Sequence, residues 1–326
     1  MAVKGKVVKK KVVTKKKGVS RSAKAAMSES PKGMTFVTIS RKGEYSLGVK
    51  TERGILDVKA ASKLLKKKVP TLIDDVIKGG DQGLTALVRA ALKSTKTKKV
   101  FLDENKIEFG PCVTNPEKLL MMGFNYRKHA FETNTPIPAS PVLFSKFNNS
   151  LSGHKAVIKL PTHVATKFDY EVELIAIIGK TAFRVSEEEA LSYVFGYCTG
   201  NDLSARDLQM KTSQFLLGKS LDGFAPVGPY LVTADQIPDP NKLKVECYVN
   251  GELRQSSNTD DMIFSVANFI SYASQHLTLK PRDMLFTGTP EGVILGMPPE
   301  KQVWLKAGDK VTTVIEKLGE LKFSFA

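Results

Sequence analysis

Between Lys167 and Lys180 the sequence KFDYEVELIAIIGK alternates acidic and bulky residues, then becomes wholly apolar. Read as a strand, it sets Asp169, Glu171 and Glu173 on one face, because side chains two residues apart point the same way. The run from Leu174 to Ile178 then reads as a buried strand. Upstream, MTFVTIS and GEYSLGVK predict paired strands, and GILDV predicts a third. Helical spacing follows in AASKLLKK, in TLIDDVIKGG, which its glycines stop, and in GLTALVRAALKS. SEEEALSYVFGY predicts a helix: Ser186 and Glu189 form a capping box, and Leu191, Val194 and Phe195 recur at helical spacing. VECYVNGELRQ predicts a hairpin, with Val245, Cys247 and Val249 alternating into Asn250-Gly251. MIFSVANFISYASQH predicts a further amphipathic helix. Regular βα alternation is missing, so the fold class is α+β and not a doubly wound sheet.

These elements divide the chain into a tail over residues 1–30, a small N-terminal α/β module over 31–111 and a larger, strand-rich domain over 112–326. Charge sharpens the first boundary. Residues 1–28 carry ten Lys/Arg and no acid, and removing those ten from the net +16 leaves +6. The tail is therefore expected to be a disordered, solvated extension. Nonspecific contact with nucleic acid or another polyanion, or a targeting role, are its alternatives. Cys112, Cys198 and Cys247 are widely spaced and form no CxxC pair, which predicts reduced thiols in an intracellular protein. No apolar run approaches the ~18 to 20 residues of a membrane span, and no apolar stretch follows the basic start as in a secretory signal. A cytoplasmic location is expected, with a mitochondrial one as the alternative.

The acids at 169–173 pose an electrostatic problem, since like charges repel more strongly as water is excluded. Either the segment lies on a wet edge or a cation sits among the carboxylates. An isolated E-x-E is usually a solvated edge; here the apolar continuation argues for burial. Asp202, in GYCTGNDLSARDLQ, a turn-like break, can join Glu171 and Glu173. Only four histidines are present. Any metal must therefore lean on carboxylates, which favours a hard cation, Mg²⁺ or Mn²⁺.

Three further segments carry chemistry. In GFNYRKHAFETN, His129 and Glu132 share a helical face, so a carboxylate can hold an imidazole tautomer for acid–base work. The proline-rich TNTPIPASP that follows is a loop and a candidate lid. Lys219, in LLGKSLDGFAPVGP, can reach a substrate oxyanion or carboxylate. In FTGTPEGV, Gly288 between two threonines can offer donors to an anion, but no GK[ST] follows, so a nucleotide role is not expected.

Taken in order, five segments resemble the fumarylacetoacetate hydrolase family: G-F-N-Y-x-x-H-x-x-E (123–132), D-Y-E-V-E-L (169–174), N-D-L-S-A-R-D-L-Q (201–209), G-K-S-L-D-G-F-A-P-V-G-P (218–229) and T-G-T-P-E-G-V (287–293). The resemblance covers roughly residues 112–326 and implies a mixed β-roll, usually a homodimer. It implies that Glu171, Glu173 and Asp202 bind one Mg²⁺ or Mn²⁺, with Asp169 tuning them, and that His129, Glu132 and Lys219 are catalytic. It also places Arg206, Gln209 and Thr289 at the substrate pocket. The implied activity is hydrolysis of a C–C bond in short 2,4-dioxo acids, acylpyruvates or sugar-derived diketo acids, through a metal-stabilised enolate. Oxaloacetate decarboxylation on the same residues is the alternative within the family. A non-catalytic polyanion-binding protein acting through the basic tail is the alternative of another class. Lys146-Phe147-Asn148 departs from the family pattern, where many members have a proline after this lysine.

Overall fold

The structure, a computed structural model, describes residues 29–326; the basic segment 1–28 lies outside the described residues. Its main feature is an eleven-stranded sheet. The central strand, Val172–Ile178, is buried along its whole length, and apart from Glu173 its sequence is apolar, as burial on both faces requires. It pairs antiparallel with Val194–Asn201 on one side and with Met284–Phe286 on the other. Beyond Met284–Phe286 come Leu119–Gly123, in parallel, and Val142–Lys146, antiparallel.

On the opposite side, Leu231–Thr233 links Val194–Asn201 to Thr35–Arg41. The sheet then continues through Glu44–Thr51, Gly54–Asp57 and Phe101–Leu102. The strands of the N-terminal segment thus extend the same sheet. Their core merges with it: Phe36, Leu47 and Leu56 pack in one cluster with Ile175, Ile177, Phe195 and Phe286. The expected helices of that segment form at Val58–Leu65, Ile73–Gly79 and Leu84–Lys93. Asp57 caps the first by accepting from Ala60 N.

A second sheet contains five strands, ordered Glu252–Asn258, Lys244–Val249, Lys310–Ile315, Gly319–Phe325 and Val157–Ile158. Its first two strands are the expected hairpin, and Asn250 and Gly251 both take positive φ, 53° and 85°. Ser265 caps the expected Val266–His276 helix by accepting from Asn268 N. This mixture of helices and sheets is the α+β class read from the pattern.

One element differs. Ser186 does accept from Glu189 N, but the helix it starts ends at Ala190 after a single turn. A 3-10 turn, Leu191–Tyr193, follows, and Val194 and Phe195 open the strand Val194–Asn201. That strand also takes in the Gly-Tyr-Cys-Thr-Gly stretch expected to be a break, and every residue in it is buried. Burial on both faces removes the alternation that would have marked it as a strand. The β-branched and aromatic residues then prevail over the capping signal.

Candidate active site

The register of the two central strands assembles the carboxylates. Val172 faces Asn201 and Glu173 faces Gly200. The pairing runs one residue further, with Asp202 N donating to Glu171 O at 2.8 Å. Glu171, Glu173 and Asp202 are all buried, and each offers a carboxylate oxygen within 4.8 Å of the others. Glu173 Oε2 accepts from Gly288 N at 2.9 Å. The TGTP loop therefore does present a backbone donor to an anion, and the anion is one of the protein's own side chains.

Three buried cations answer these charges unevenly. Lys219 Nζ bridges Glu171 Oε2 at 2.7 Å and Asp202 Oδ2 at 2.8 Å. Arg206 Nη2 lies 2.7 Å from Glu171 Oε1 and 2.8 Å from Asp169 Oδ2. Lys146 Nζ lies 2.5 Å from Asp202 Oδ1 and also donates to the carbonyls of Leu203 and Phe224. Burial opposes charge on Glu171, but Lys219 and Arg206 outweigh it and hold its carboxyl at about 2. Burial also opposes charge on Lys219, yet Asp202 and Glu171 carry its pKa above the ordinary lysine value. Burial pulls Lys146 down to about 8, with Asp202 acting against the shift.

Glu173 forms no ion pair among the described residues, and Lys219 offsets its charge only weakly. Burial, and then the charges of Asp202 and Glu171, push its pKa well above the carboxylate range. With Asp169 included, four acids face three cations, so the ionised cluster carries one excess negative charge. A buried carboxylate without an ion pair, set in an all-oxygen triad, fits a hard divalent cation.

The acid–base pair opens onto the same space. On the Arg127–Glu132 helix, His129 Nδ1 and Glu132 Oε1 are 2.8 Å apart. His129 is buried, and its ring stacks on Phe124 with centroids 6.3 Å apart. Phe124 takes φ 54°, a left-handed conformation that is strained for a bulky residue and common near functional sites. Glu132 Oε2 accepts from Gly292 N at 2.9 Å. Asp169 accepts from Ile294 N at 2.9 Å and Leu295 N at 3.0 Å. Segment 292–295 is thus tied both to the His–Glu pair and, through Asp169 and Arg206, to the carboxylate triad.

A cavity of about 620 Å³ joins these parts. His129, Glu132, Glu171, Glu173, Asp202, Arg206, Gln209, Lys219 and Thr289 all line it; Asp169 and Gly288, also singled out from the sequence, do not. Gln209 accepts from Arg206 Nη1 at 2.9 Å. Thr289 Oγ1 accepts from Gln255 Nε2 at 2.9 Å. Thr133, Asn134 and Thr135, at the start of the proline-rich loop, form part of the wall, while Phe144, Phe215 and Met297 make another part apolar.

Sequence reasoning missed three residues here. Lys146 was noted only for the residues after it. Gln255 ties the TGTP loop to the central strand through Thr289 Oγ1, Pro290 O and Val172 N. Asn125 donates to Phe264 O and Thr287 O and accepts from Phe264 N, which fixes the entry to the His129 helix. The available signal for Lys146 was a lysine closing the short apolar strand VLFSK.

Known proteins resemble this chain in sequence and in fold. Residues 118–326 match the model of the fumarylacetoacetate (FAA) hydrolase C-terminal domain. The chain is 39% identical over 280 residues to oxaloacetate tautomerase fahd2, mitochondrial, from Xenopus laevis, covering 84% of each chain. Among solved structures, a putative HpcE protein from Mycobacterium smegmatis superposes with a TM-score of 0.76 at 32% identity, over 90% of this chain and 99% of that one. Fumarylpyruvate hydrolase from Pseudomonas aeruginosa, solved with Mn²⁺ and pyruvate, matches with a TM-score of 0.60 at 32% identity, over 67% and 91%. With a matching family model across most of its length and relatives of this similarity, the chain belongs to the fumarylacetoacetate hydrolase family.

Proposed function

We propose that this protein is a divalent-metal-dependent enzyme that interconverts the keto and enol forms of a short 2-oxo dicarboxylic acid, with oxaloacetate the first candidate. The observation that carries this reading is the His129–Glu132 pair facing the same cavity as the Glu171, Glu173 and Asp202 triad. Enolisation needs a base at C3 and stabilisation of negative charge at the C2 oxygen. A cation held by Glu171, Glu173 and Asp202, Mg²⁺ or Mn²⁺, would supply Lewis-acid polarisation of the 2-oxo group.

The chain's own residues supply the rest. Glu132 holds the Nδ1 side of His129, which leaves Nε2 to accept the proton from C3. The C3–H electron pair becomes the C2–C3 double bond as the C2 carbonyl π pair moves onto its oxygen; a solvent proton on that oxygen completes the enol, and Nε2 returns its proton to solvent. Lys219 and Arg206 balance charge as a dianionic substrate enters a site rich in carboxylates. The name of the Xenopus laevis relative supports oxaloacetate as substrate.

A second reading is hydrolysis of a C–C bond in a 2,4-dioxo acid, with pyruvate enolate as leaving group and His129 activating water. The apolar wall of Phe144, Phe215 and Met297, in a cavity of about 620 Å³, favours it by leaving room for a longer acyl group. Decarboxylation of oxaloacetate uses the same electron sink.

The test follows proton NMR of oxaloacetate and, separately, acetylpyruvate with the purified protein and Mg²⁺, against EDTA. Keto–enol exchange of oxaloacetate accelerated only with metal, and lost by about 100-fold or more in His129→Gln, supports tautomerisation. Acetate plus pyruvate from acetylpyruvate selects hydrolysis; pyruvate from oxaloacetate above the metal-only rate selects decarboxylation. Full exchange in EDTA would remove the metal from the mechanism.

A further inference from the structure

The N-terminal segment carries an unbalanced charge that the active site does not use. Five lysines lie between residues 59 and 68, and Arg89 with four further lysines lies between 89 and 99; all ten are exposed. No acid interrupts 58–73 or 84–102. None of the ten forms an ion pair among the described residues. The two stretches are neighbours in space, because the Val58–Leu65 helix packs on both the Leu84–Lys93 helix and the Thr95–Val100 turn. Residues 29–326 carry a net +6, so setting these ten aside leaves the remainder at −4. All the excess basicity of the described residues resides in this one region. At its border, Asp75 shares a groove with Lys68 and Lys78, and Asp57 caps the Val58–Leu65 helix.

Two large apolar side chains stand exposed among these cations: Leu64 at 47% and Leu72 at 38%. We propose that this region is a docking surface for an anionic lipid bilayer, with the lysines on the headgroups and Leu64 and Leu72 entering the interface. Lysine clusters are attracted diffusely to anionic leaflets, and flanking apolar side chains add an insertion term that salt does not screen. Nucleic acid is the less suitable polyanion. No aromatic residue occurs between 58 and 100 to stack on bases, and a single arginine offers little bidentate reading of phosphate or guanine. None of residues 58–100 lines the catalytic cavity, so the proposed docking surface uses none of its walls.

The experiment is sedimentation of the full chain with phosphatidylcholine vesicles, with and without phosphatidylglycerol, alongside double-stranded DNA as competitor. Two charge-reversal variants, Lys66→Glu/Lys67→Glu/Lys68→Glu and Lys96→Glu/Lys98→Glu/Lys99→Glu, and the double variant Leu64→Ser/Leu72→Ser keep the 1–28 segment intact. Each is first shown to melt like wild type, since all these side chains are exposed. Binding only to anionic vesicles is expected, weakened at least about tenfold by either charge reversal. The leucine variant is expected to lose the part of the binding that survives high salt. Anionic-vesicle binding unaffected by both charge reversals would overturn the proposal in favour of the 1–28 segment. Absence of vesicle binding, or charge reversals that weaken DNA binding alone, would overturn it as well.

Discussion

Replacing Glu171 by glutamine keeps its shape and removes its charge, and the structure sets the cost. The carboxyl is held at about 2 against an ordinary 4.5. At roughly 1.4 kcal/mol per unit, that depression stabilises the folded metal-free protein by about 3 kcal/mol at neutral pH. Glu171 is buried, so bulk water does not screen this contribution away. One effect offsets it: Glu171 is among the charges that raise Glu173, and its neutralisation lets Glu173 ionise at less cost. The expected net loss is about 2 to 3 kcal/mol. The folded pKa lies below the unfolded one, so the contribution is complete above pH 4.5 and fades as pH falls toward 2. Urea unfolding in EDTA should therefore show a gap between wild type and Glu171→Gln at pH 7 that closes in acid. Mg²⁺ at about 100 times its Kd should add roughly 2.7 kcal/mol to wild type and much less to the variant. A variant as stable as wild type at pH 7, or a gap that persists unchanged near pH 2, would refute the reasoning.

Gly296 is not in a left-handed conformation, but a Cβ there would lie 2.6 Å from Glu132 Cδ. Gly296→Ala is expected to displace Glu132 from His129 and lower turnover about 10- to 100-fold, while Mn²⁺ affinity by calorimetry stays as in wild type. At Gly218 a Cβ would meet backbone, Gln209 N at 2.4 Å and Ala205 O at 2.7 Å. Gly218→Ala should cost about 1 to 3 kcal/mol of stability by urea unfolding and shift the adjacent Lys219 away from the triad, weakening metal binding. Deleting residues 1–28 should leave turnover unchanged in the same NMR assay; a large loss would make that segment part of the enzyme.

The triad was legible because an E-x-E running straight into five apolar residues is hard to explain on a wet surface. The His129–Glu132 pair was legible because three-residue spacing on a helix makes contact almost automatic. The Asn-Gly hairpin declared itself through turn chemistry alone. Lys146 was hidden for the opposite reason: it is one lysine among many, and its burial depends on strands meeting from 142–146, 194–201 and 225–226. Gln255 reads as an ordinary polar position in a hairpin until the second sheet lays it against the central strand. The strand after Ser186 was misread because full burial erased its periodicity while a local capping signal remained.

The main sheet also constrains the order in which this chain can assemble. The strand Thr35–Arg41 finds one of its neighbours in Leu231–Thr233, and Met34 N donates to Thr233 Oγ1 across 199 residues of sequence. A ribosome emitting about 5 to 20 residues per second leaves that sheet edge unsatisfied for roughly 10 to 40 seconds. During that interval Thr35 and Phe36 belong to an open strand edge, where pairing with another chain competes with pairing at home, whereas Ile39 and Ser40 are covered earlier by Glu108–Phe109. Yield should accordingly be limited by the wait for residue 231, and faster elongation between residues 42 and 231 or a holdase chaperone should raise the soluble fraction more than any stabilising change near the cavity.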